Sequence, residues 1–258
     1  MAMGRHVRLL DRTLRDGGYV DGWNFGNGTI TVLFDRLNQA GIDIIEIGFL
    51  DDREPFDMNR SIQPDTESMK KVYAGINKKG SMVTAMIDYG TCSIDNIGPK
   101  DDTLIDAIRI IFKKENMYGA VDFAEQLMDK GYDVFLQLVS ITDYSESDIN
   151  DLCKRVKERR PIVVSIVDTY GLMHKEQVTD YFRWLDKGLP EGISIGYHSH
   201  NNFQLAYSNT IELLNMDTKR DIVLDGTLYG MGKSAGNAPI ELLAMYMNEV
   251  MGTDYDIT

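Results

Sequence analysis

Cysteine is almost absent from this chain of 258 residues, with only Cys92 and Cys153 present. Two isolated thiols make neither a disulfide framework nor the paired spacing of a zinc ribbon. A reducing, cytoplasmic setting is therefore expected. Long apolar runs are also absent: nothing approaches the roughly 18 residues of a membrane span. Residues 1–6 lead straight into a strand pattern without the apolar centre of a signal peptide. Positive charge is in deficit, with a net charge of -13 and a pI near 4.7. That balance argues against a nucleic-acid or anionic-membrane surface, which would need a basic face. The one basic cluster, Lys154, Arg155, Lys157, Arg159 and Arg160, falls at helical spacing and reads as a solvated helix face. No glycine-rich dinucleotide fingerprint follows the first strand pattern, which disfavours a doubly wound open sheet. Linkers and low-complexity tracts are missing too, so a single domain over residues 1–258 is expected.

What is present is an alternation. Short β-rich apolar runs occur at residues 7–13, 43–49, 82–88, 107–112, 134–139, 162–168, 194–198 and 222–228. Between them lie amphipathic segments at 29–40, 67–79, 118–130, 146–159, 175–187, 202–215 and 238–251. Residues 89–106 are the least regular, broken by Gly90, Gly98 and Pro99, and predict a short third helix. Gly41, Gly80, Gly131 and Gly188 fall where helices should stop. At 43% hydrophobic and 26% charged, the chain can bury a large core. Eight strand–helix units in a chain of this length predict an α/β fold, the (β/α)8 TIM barrel, which typically takes about 250 residues.

Active sites of such barrels lie at the C-terminal ends of the strands, and polar residues collect there. The seventh run continues into His198-Ser199-His200-Asn201-Asn202. Strand alternation puts Ser194, Gly196, His198 and His200 on one face and Ile193, Ile195 and Tyr197 on the other. Two imidazoles on one face are half of a metal site; the plainer alternative is a pair of helix-capping histidines followed by turn residues. The first run ends in Asp11-Arg12-Thr13-Leu14-Arg15-Asp16-Gly17. Glu46 stands between isoleucines, where an unpaired charge is costly. Gln137 and Asp168 mark the fifth and sixth strands, either as substrate groups or as partners of the backbone at the rim. A glycine-rich stretch from Gly226 to Gly236 leads to Asn237. If the barrel closes, Asp16, His198 and His200 offer one oxygen and two nitrogen ligands, with Asn237 as a further oxygen. That set suits Mn²⁺ or Mg²⁺, with Zn²⁺ and Co²⁺ as alternatives. Glu46 and Arg15 would stand beside the ion, orienting it and stabilising an anion. His6 and His174 have no such companions and read as structural or surface residues.

Five motifs in order carry a resemblance: the D-x-T-L-R-D-G of residues 11–17, Glu46-Ile47-Gly48, Asp168-Thr169-Tyr170-Gly171, His198-Ser199-His200-Asn201, and the glycine-rich stretch ending Gly236-Asn237. Over nearly its whole length the chain resembles the metal-dependent barrel family of 4-hydroxy-2-oxovalerate aldolase, 3-hydroxy-3-methylglutaryl-CoA lyase and isopropylmalate synthase. The resemblance implies a divalent metal on Asp16, His198 and His200, with Asn237 a ligand in some members. It also implies Arg15 as the catalytic cation; Gln137, Asp168 and Tyr170, at the strand ends, are the candidate substrate-binding residues. The loop 229–239 looks most like the aldolase branch, since it has no cysteine of the CoA-lyase kind. Tyr19 stands where the aldolase has its histidine base, which makes it the positional candidate for that role, with Tyr170 or solvent on the metal as the alternatives. The aldolase also carries a C-terminal domain that docks an aldehyde dehydrogenase, whereas this sequence ends at Thr258, so that partner is not expected.

The function implied is a class II aldolase that makes or breaks a C–C bond through the enolate of a 2-oxo acid such as pyruvate. Its partners would be a 2-oxo acid and an aldehyde, and a homo-oligomer is compatible. An acyl-CoA-dependent Claisen condensation or its reverse would use the same metal and arginine. A non-catalytic metal-binding barrel is the reading from another class.

Overall fold

In the computed structural model, which describes residues 5–257, the alternation becomes a closed barrel. Nine strands form: β1 (Val7–Asp11), β2 (Ile44–Leu50), β3 (Ile62–Gln63), β4 (Met82–Asp88), β5 (Ala107–Phe112), β6 (Asp133–Leu138), β7 (Val163–Asp168), β8 (Ser194–Ser199) and β9 (Ile222–Gly226). The helices are α1 (Asn27–Gln39), α2 (Thr66–Val72), α3 (Met117–Asp129), α4 (Glu146–Arg159), α5 (Lys175–Gly188), α6 (Ala206–Leu214) and α7 (Ile240–Met251). Eight strands pair in parallel in the order β1-β9-β8-β7-β6-β5-β4-β2. The ring closes where β2 returns to β1, with Leu10 opposite Ile44 and Asp11 opposite Ile45. This is the expected (β/α)8 TIM barrel.

Four details differ from the sequence reading. The two-residue strand β3 was not expected; it pairs with Phe49 and Leu50 on the outer end of β2. The predicted third helix between residues 89 and 106 is not formed, and 3-10 turns at Ile94–Asn96 and Lys100–Asp102 take its place. Pro99 explains part of this, because it has no N–H to donate and pushes the residue before it out of the α region. Helix α2 stops at Val72, not near Gly80, because Gly75 takes the left-handed conformation that ends the segment. Helix α6 starts at Ala206 and not at Asn202. Residues 201–204 first form a turn in which Gln204 N–H donates to Asn201 O (3.0 Å), and Asn201 Oδ1 accepts from Ala206 N–H (3.1 Å).

Period-two alternation sorts the side chains. Ile193, Ile195 and Tyr197 join the large apolar layer between barrel and helices, leaving Ser194, Gly196 and His198 for the inside. A second, smaller cluster of Leu10, Ile44, Ala107, Phe135, Val163 and Val223 plugs the barrel interior. Two residues further along each of these strands, on the same face, stand Arg12, Glu46, Arg109, Gln137, Ser165 and Asp225, all essentially inaccessible to solvent. The plug is therefore roofed by a polar layer. Arg109 is its centre: Nη1 lies 3.0 Å from Glu46 Oε1, and Nη2 donates to Gln137 Oε1 (3.0 Å) and to Asp225 Oδ2. Gln137 Nε2 in turn donates to Ser165 Oγ (2.8 Å). Buried charges of this kind are tolerated only when paired.

On the outside, the basic cluster of α4 behaves as a solvated face. Arg155 and Arg159 pair with Asp122 of α3, and Arg159 also with Glu125. No helix among the described residues is long and apolar enough to cross a membrane.

The two kinds of ion pair should differ in weight. Arg109→Leu leaves Glu46 and Asp225 buried without their cation and is expected to cost about 3–5 kcal/mol. Arg155→Leu should stay within about 1 kcal/mol. Urea unfolding of both variants reads the difference, and equal midpoints would show that the interior network contributes nothing.

Candidate active site

The motif at residues 11–17 is built as a stitch between the first and last strands. Asp11 accepts from the N–H and hydroxyl of Thr13 (2.9 and 2.8 Å). The same hydroxyl accepts from Leu228 N–H (2.9 Å), just beyond β9. Burial raises the Asp11 pKa to about 7, against the opposing effect of the Thr13 bonds and Arg12. The chain then turns tightly, with Arg15 and Asp16 N–H both donating to Arg12 O (3.0 and 2.7 Å). That turn places Arg15 and Asp16 over the polar layer.

Asp16, His198 and His200 converge there. One carboxylate oxygen and one nitrogen from each ring lie within 4.8 Å of one another, all three residues buried. The two Nε2 atoms face each other at 3.4 Å. Nδ1 of His198 lies 3.4 Å from Asp225 Oδ2, and a carboxylate so close favours the tautomer with its proton on Nδ1, leaving Nε2 bare. Burial pushes the pKa of His200 down to about 4; Asp16 opposes this, while Arg12 and Arg15 add to it. Burial works to raise the Asp16 pKa, but Arg15, Arg12, His200 and the Asn237 amide outweigh it and hold the carboxyl below its ordinary value. A carboxylate and two imidazoles whose nitrogens converge fit a divalent ion.

The surrounding groups are ordered around this cluster. Arg15 Nε donates to Glu46 Oε2 (2.7 Å) and Nη1 to Asp16 Oδ1 (3.1 Å). Burial alone would lower the Arg15 pKa, yet Glu46 and Asp16 raise it above the usual arginine value. Its Nη2 is buried with no hydrogen-bond partner among the described residues, although Arg15 lines an open cleft of about 340 Å³. Asn237 Nδ2 donates to Asp16 Oδ2 (2.6 Å) and Met231 O (2.7 Å), and its Oδ1 accepts from Arg12 Nη2 (2.7 Å). In this arrangement Asn237 steers Asp16 and keeps its own oxygen on Arg12. Gly171 shows why its motif needs glycine: at φ +63°, an added Cβ would sit 2.6 Å from the backbone carbonyl of His200.

The other expected site residues divide. Tyr19 and Tyr170 line the cleft with Arg15, Asp16, His198 and His200. Tyr19 is edge-on to Trp23 and Phe49, and burial raises its pKa, opposed by Arg15. That shift runs against the lowering a general base near neutral pH needs. Tyr170 hydroxyl accepts from Ser140 Oγ (3.3 Å). Gln137 and Glu46 lie in the polar layer underneath: Glu46 reaches the cleft through Arg15, while Gln137 contacts Arg109 and Ser165. Asp168 faces away from it: its two oxygens accept from Leu172 and Met173 N–H (3.1 and 3.2 Å), so it ties down the loop that carries Gly171. His6 and His174 do not join the cluster.

Arg12, Arg109 and Asp225 were missed by sequence reasoning. Arg109 and Asp225 each interrupt an apolar strand, as in Ala-Ile-Arg109-Ile-Ile-Phe and Ile-Val-Leu-Asp225-Gly. The argument that singled out Glu46 would have found those two, whereas Arg12, between Asp11 and Thr13 just past β1, gives no such signal.

Fold and site together define a (β/α)8 barrel with an aspartate–histidine cluster able to hold a metal ion at the C-terminal mouth. The chain belongs to the HMGL-like family, whose model matches residues 6–257. It is 29% identical over 243 residues to the oxaloacetate decarboxylase of Mycobacterium tuberculosis, covering 94% of this chain and 70% of that protein. It is 27% identical over 244 residues to the 4-hydroxy-2-oxovalerate aldolase of Pelotomaculum thermopropionicum, covering 92% and 68%. The structure of hydroxymethylglutaryl-CoA lyase from Pseudomonas aeruginosa superposes with a TM-score of 0.76, at 17% identity, covering 100% of this chain and 90% of that one. That last likeness speaks for the fold alone.

His198→Ala, His200→Ala and Asp16→Asn are each expected to abolish stoichiometric Mn²⁺ uptake while leaving a folded barrel, since they sit above the apolar plug. Metal analysis of dialysed protein alongside circular dichroism checks this. Full occupancy in any one variant removes that residue from the ligand set.

Proposed function

We propose that this protein is a divalent-metal-dependent carbon–carbon lyase that acts on a 2-oxo acid through an enolate of the pyruvate type. The observation that carries this reading is the meeting of the Asp16–His198–His200 cluster with an unpartnered Arg15 Nη2 in one cleft. A bound divalent ion, Mn²⁺ or Mg²⁺ by the hardness of its ligands, would polarise the 2-oxo and carboxylate oxygens of the substrate.

The protein's own part is positioning and charge. Arg15 is clamped by Glu46 through Nε and by Asp16 through Nη1. Its remaining nitrogen is free for the negative charge that develops on the enolate oxygen as the C–C bond opens. A donor fixed in this way before reaction is typically worth about 3–4 kcal/mol. Arg109 and Asp225 hold Glu46 and His198 in place from below. Family kinship supports the reading, since HMGL-like aldolases use a divalent metal.

Two leaving groups compete as the natural one. Aldol cleavage must remove the proton of a 4-hydroxyl, and Tyr19 stands at the cleft for that task. Loss of carbon dioxide from a 3-carboxylated 2-oxo acid needs no such base. The relative named oxaloacetate decarboxylase accords with this second reading.

Pyruvate release from 4-hydroxy-2-oxovalerate and from oxaloacetate, each with Mn²⁺ and after chelation, tests the proposal. Metal-dependent turnover of neither, together with failure of the Mn²⁺-loaded protein to bind any 2-oxo acid, refutes it. In the active reaction, Arg15→Lys should lower kcat by about 10²-fold with KM little changed, because the contact is made mainly in the transition state. A kcat within about twofold of the parent would show that the guanidinium is not needed.

Tyr19→Phe separates the two leaving groups. A tyrosine base predicts severe loss of aldol cleavage with enolisation retained, read as exchange of the pyruvate methyl protons. Decarboxylation should proceed at the parent rate. A Tyr19→Phe enzyme fully active in aldol cleavage removes Tyr19 as the base.

A further inference from the structure

Two cations at the cleft have no part in the chemistry above. Lys113 follows the last residue of β5, and Lys233 lies on the turn between Gly232 and Gly236. Both line the same cleft as Arg15, Asp16 and the two histidines. Strands β5 and β9 stand on opposite sides of the ring, so the two side chains reach the mouth from opposite walls. Lys114, next along the chain, pairs with Asp148 (3.2 Å); Lys113 has no such partner among the described residues. Lys233 is placed by its surroundings: Nζ sits 5.3 Å from the centre of the Tyr19 ring. Its turn is closed by Gly236 N–H on Lys233 O (3.1 Å). Both ammonium groups act on the Asp88 carboxylate at the cleft wall from beyond ion-pair distance.

Arg15, Lys113 and Lys233 thus stand against Asp16 and Asp88. The lining is net positive in a chain of net charge -13, and a divalent ion would make it more so. A substrate with one carboxylate would engage the metal cluster and Arg15 and leave the two lysines with one shared and more distant counter-anion, Asp88.

We propose that Lys113 and Lys233 form a second anion subsite, and that the substrate is a 2-oxo acid carrying a further carboxylate remote from its 2-oxo group. This rests on the reading of the cleft as a 2-oxo acid site. It also bears on which bond breaks. A cation held against a carboxylate that must depart as carbon dioxide stabilises the ground state and slows its loss. The subsite therefore fits a carboxylate retained in the product, so that the fragment released in cleavage is itself an oxo acid.

Calorimetric binding to the Mn²⁺-loaded protein tests this with three ligands that have no 4-hydroxyl to cleave: 2-oxobutyrate, 2-oxoglutarate and 2-oxoadipate. At least one dicarboxylate should bind about tenfold more tightly than 2-oxobutyrate, as expected for charge-assisted contacts. In Lys113→Met/Lys233→Met that ratio should fall to within about twofold of one, and high salt should shrink it in the parent. A ratio near one in the parent, or one that survives in the double variant, overturns the subsite while 2-oxobutyrate binding keeps the 2-oxo acid reading. Failure of all three ligands to bind a protein that takes up Mn²⁺ overturns both.

Discussion

The site depends on a buried exchange of charge in the middle of the barrel. Three arginines, Arg12, Arg15 and Arg109, meet Asp16, Glu46 and Asp225 with essentially no access to solvent. None of these groups is acceptable alone in that environment, because an isolated buried ion costs several kcal/mol. Their mutual pairing is what makes the interior chargeable, and it runs without a break from the apolar plug to the cleft. Glu46 illustrates the economy of the arrangement, with one oxygen on Arg109 below and the other on Arg15 above.

The loops above this layer are held as firmly as the strands. Asp11, Thr13 and Leu228 tie the first strand to the segment after the last. Asn237 bridges Arg12, Asp16 and Met231, so the glycine-rich loop and the first motif are fixed to one another across the barrel seam. Asp168 secures the neighbouring loop, and Gly171 lets it pass close against His200. The two histidines are consequently positioned from both sides, by β8 itself and by packing from the loops next to it. Such outer contacts orient metal ligands and tune their basicity.

The acidic surface and the positive cleft are complementary. A chain of net charge -13 repels small anions at long range, but only within about a Debye length of roughly 8–10 Å at ordinary ionic strength. Inside the cleft the lining cations dominate, and a bound divalent ion would strengthen them. For the proposed function the consequence is selection of anionic 2-oxo acids at short range. In that proposed reaction, which carbon fragment departs is a matter of where a second carboxylate would be held and whether a base reaches the 4-hydroxyl.

Much of the fold was legible along the chain. Period-two runs separated by amphipathic segments specified the eight barrel strands, and the same period put His198 with Gly196 and Ser194 and apart from Tyr197. Asp16, His198, His200 and Arg15 could be named as a group because their residue types and strand-end positions agree with one chemistry. Local signals also failed locally. Pro99 and its neighbours removed a predicted helix, and β3 forms only because β2 extends far enough for a short segment to pair with its end. What tertiary structure alone decided is the direction of each polar group. Asn237 and Asp16 are 221 residues apart and Arg109 and Asp225 are 116 apart, so only closure of the ring could reveal that they pair. It likewise turned Asp168 onto its own loop, sank Gln137 beneath the site, and brought Lys113 and Lys233 to one mouth. The physical reason is that periodicity along a chain determines which face a residue occupies, whereas partners across a barrel are determined by strand order and register.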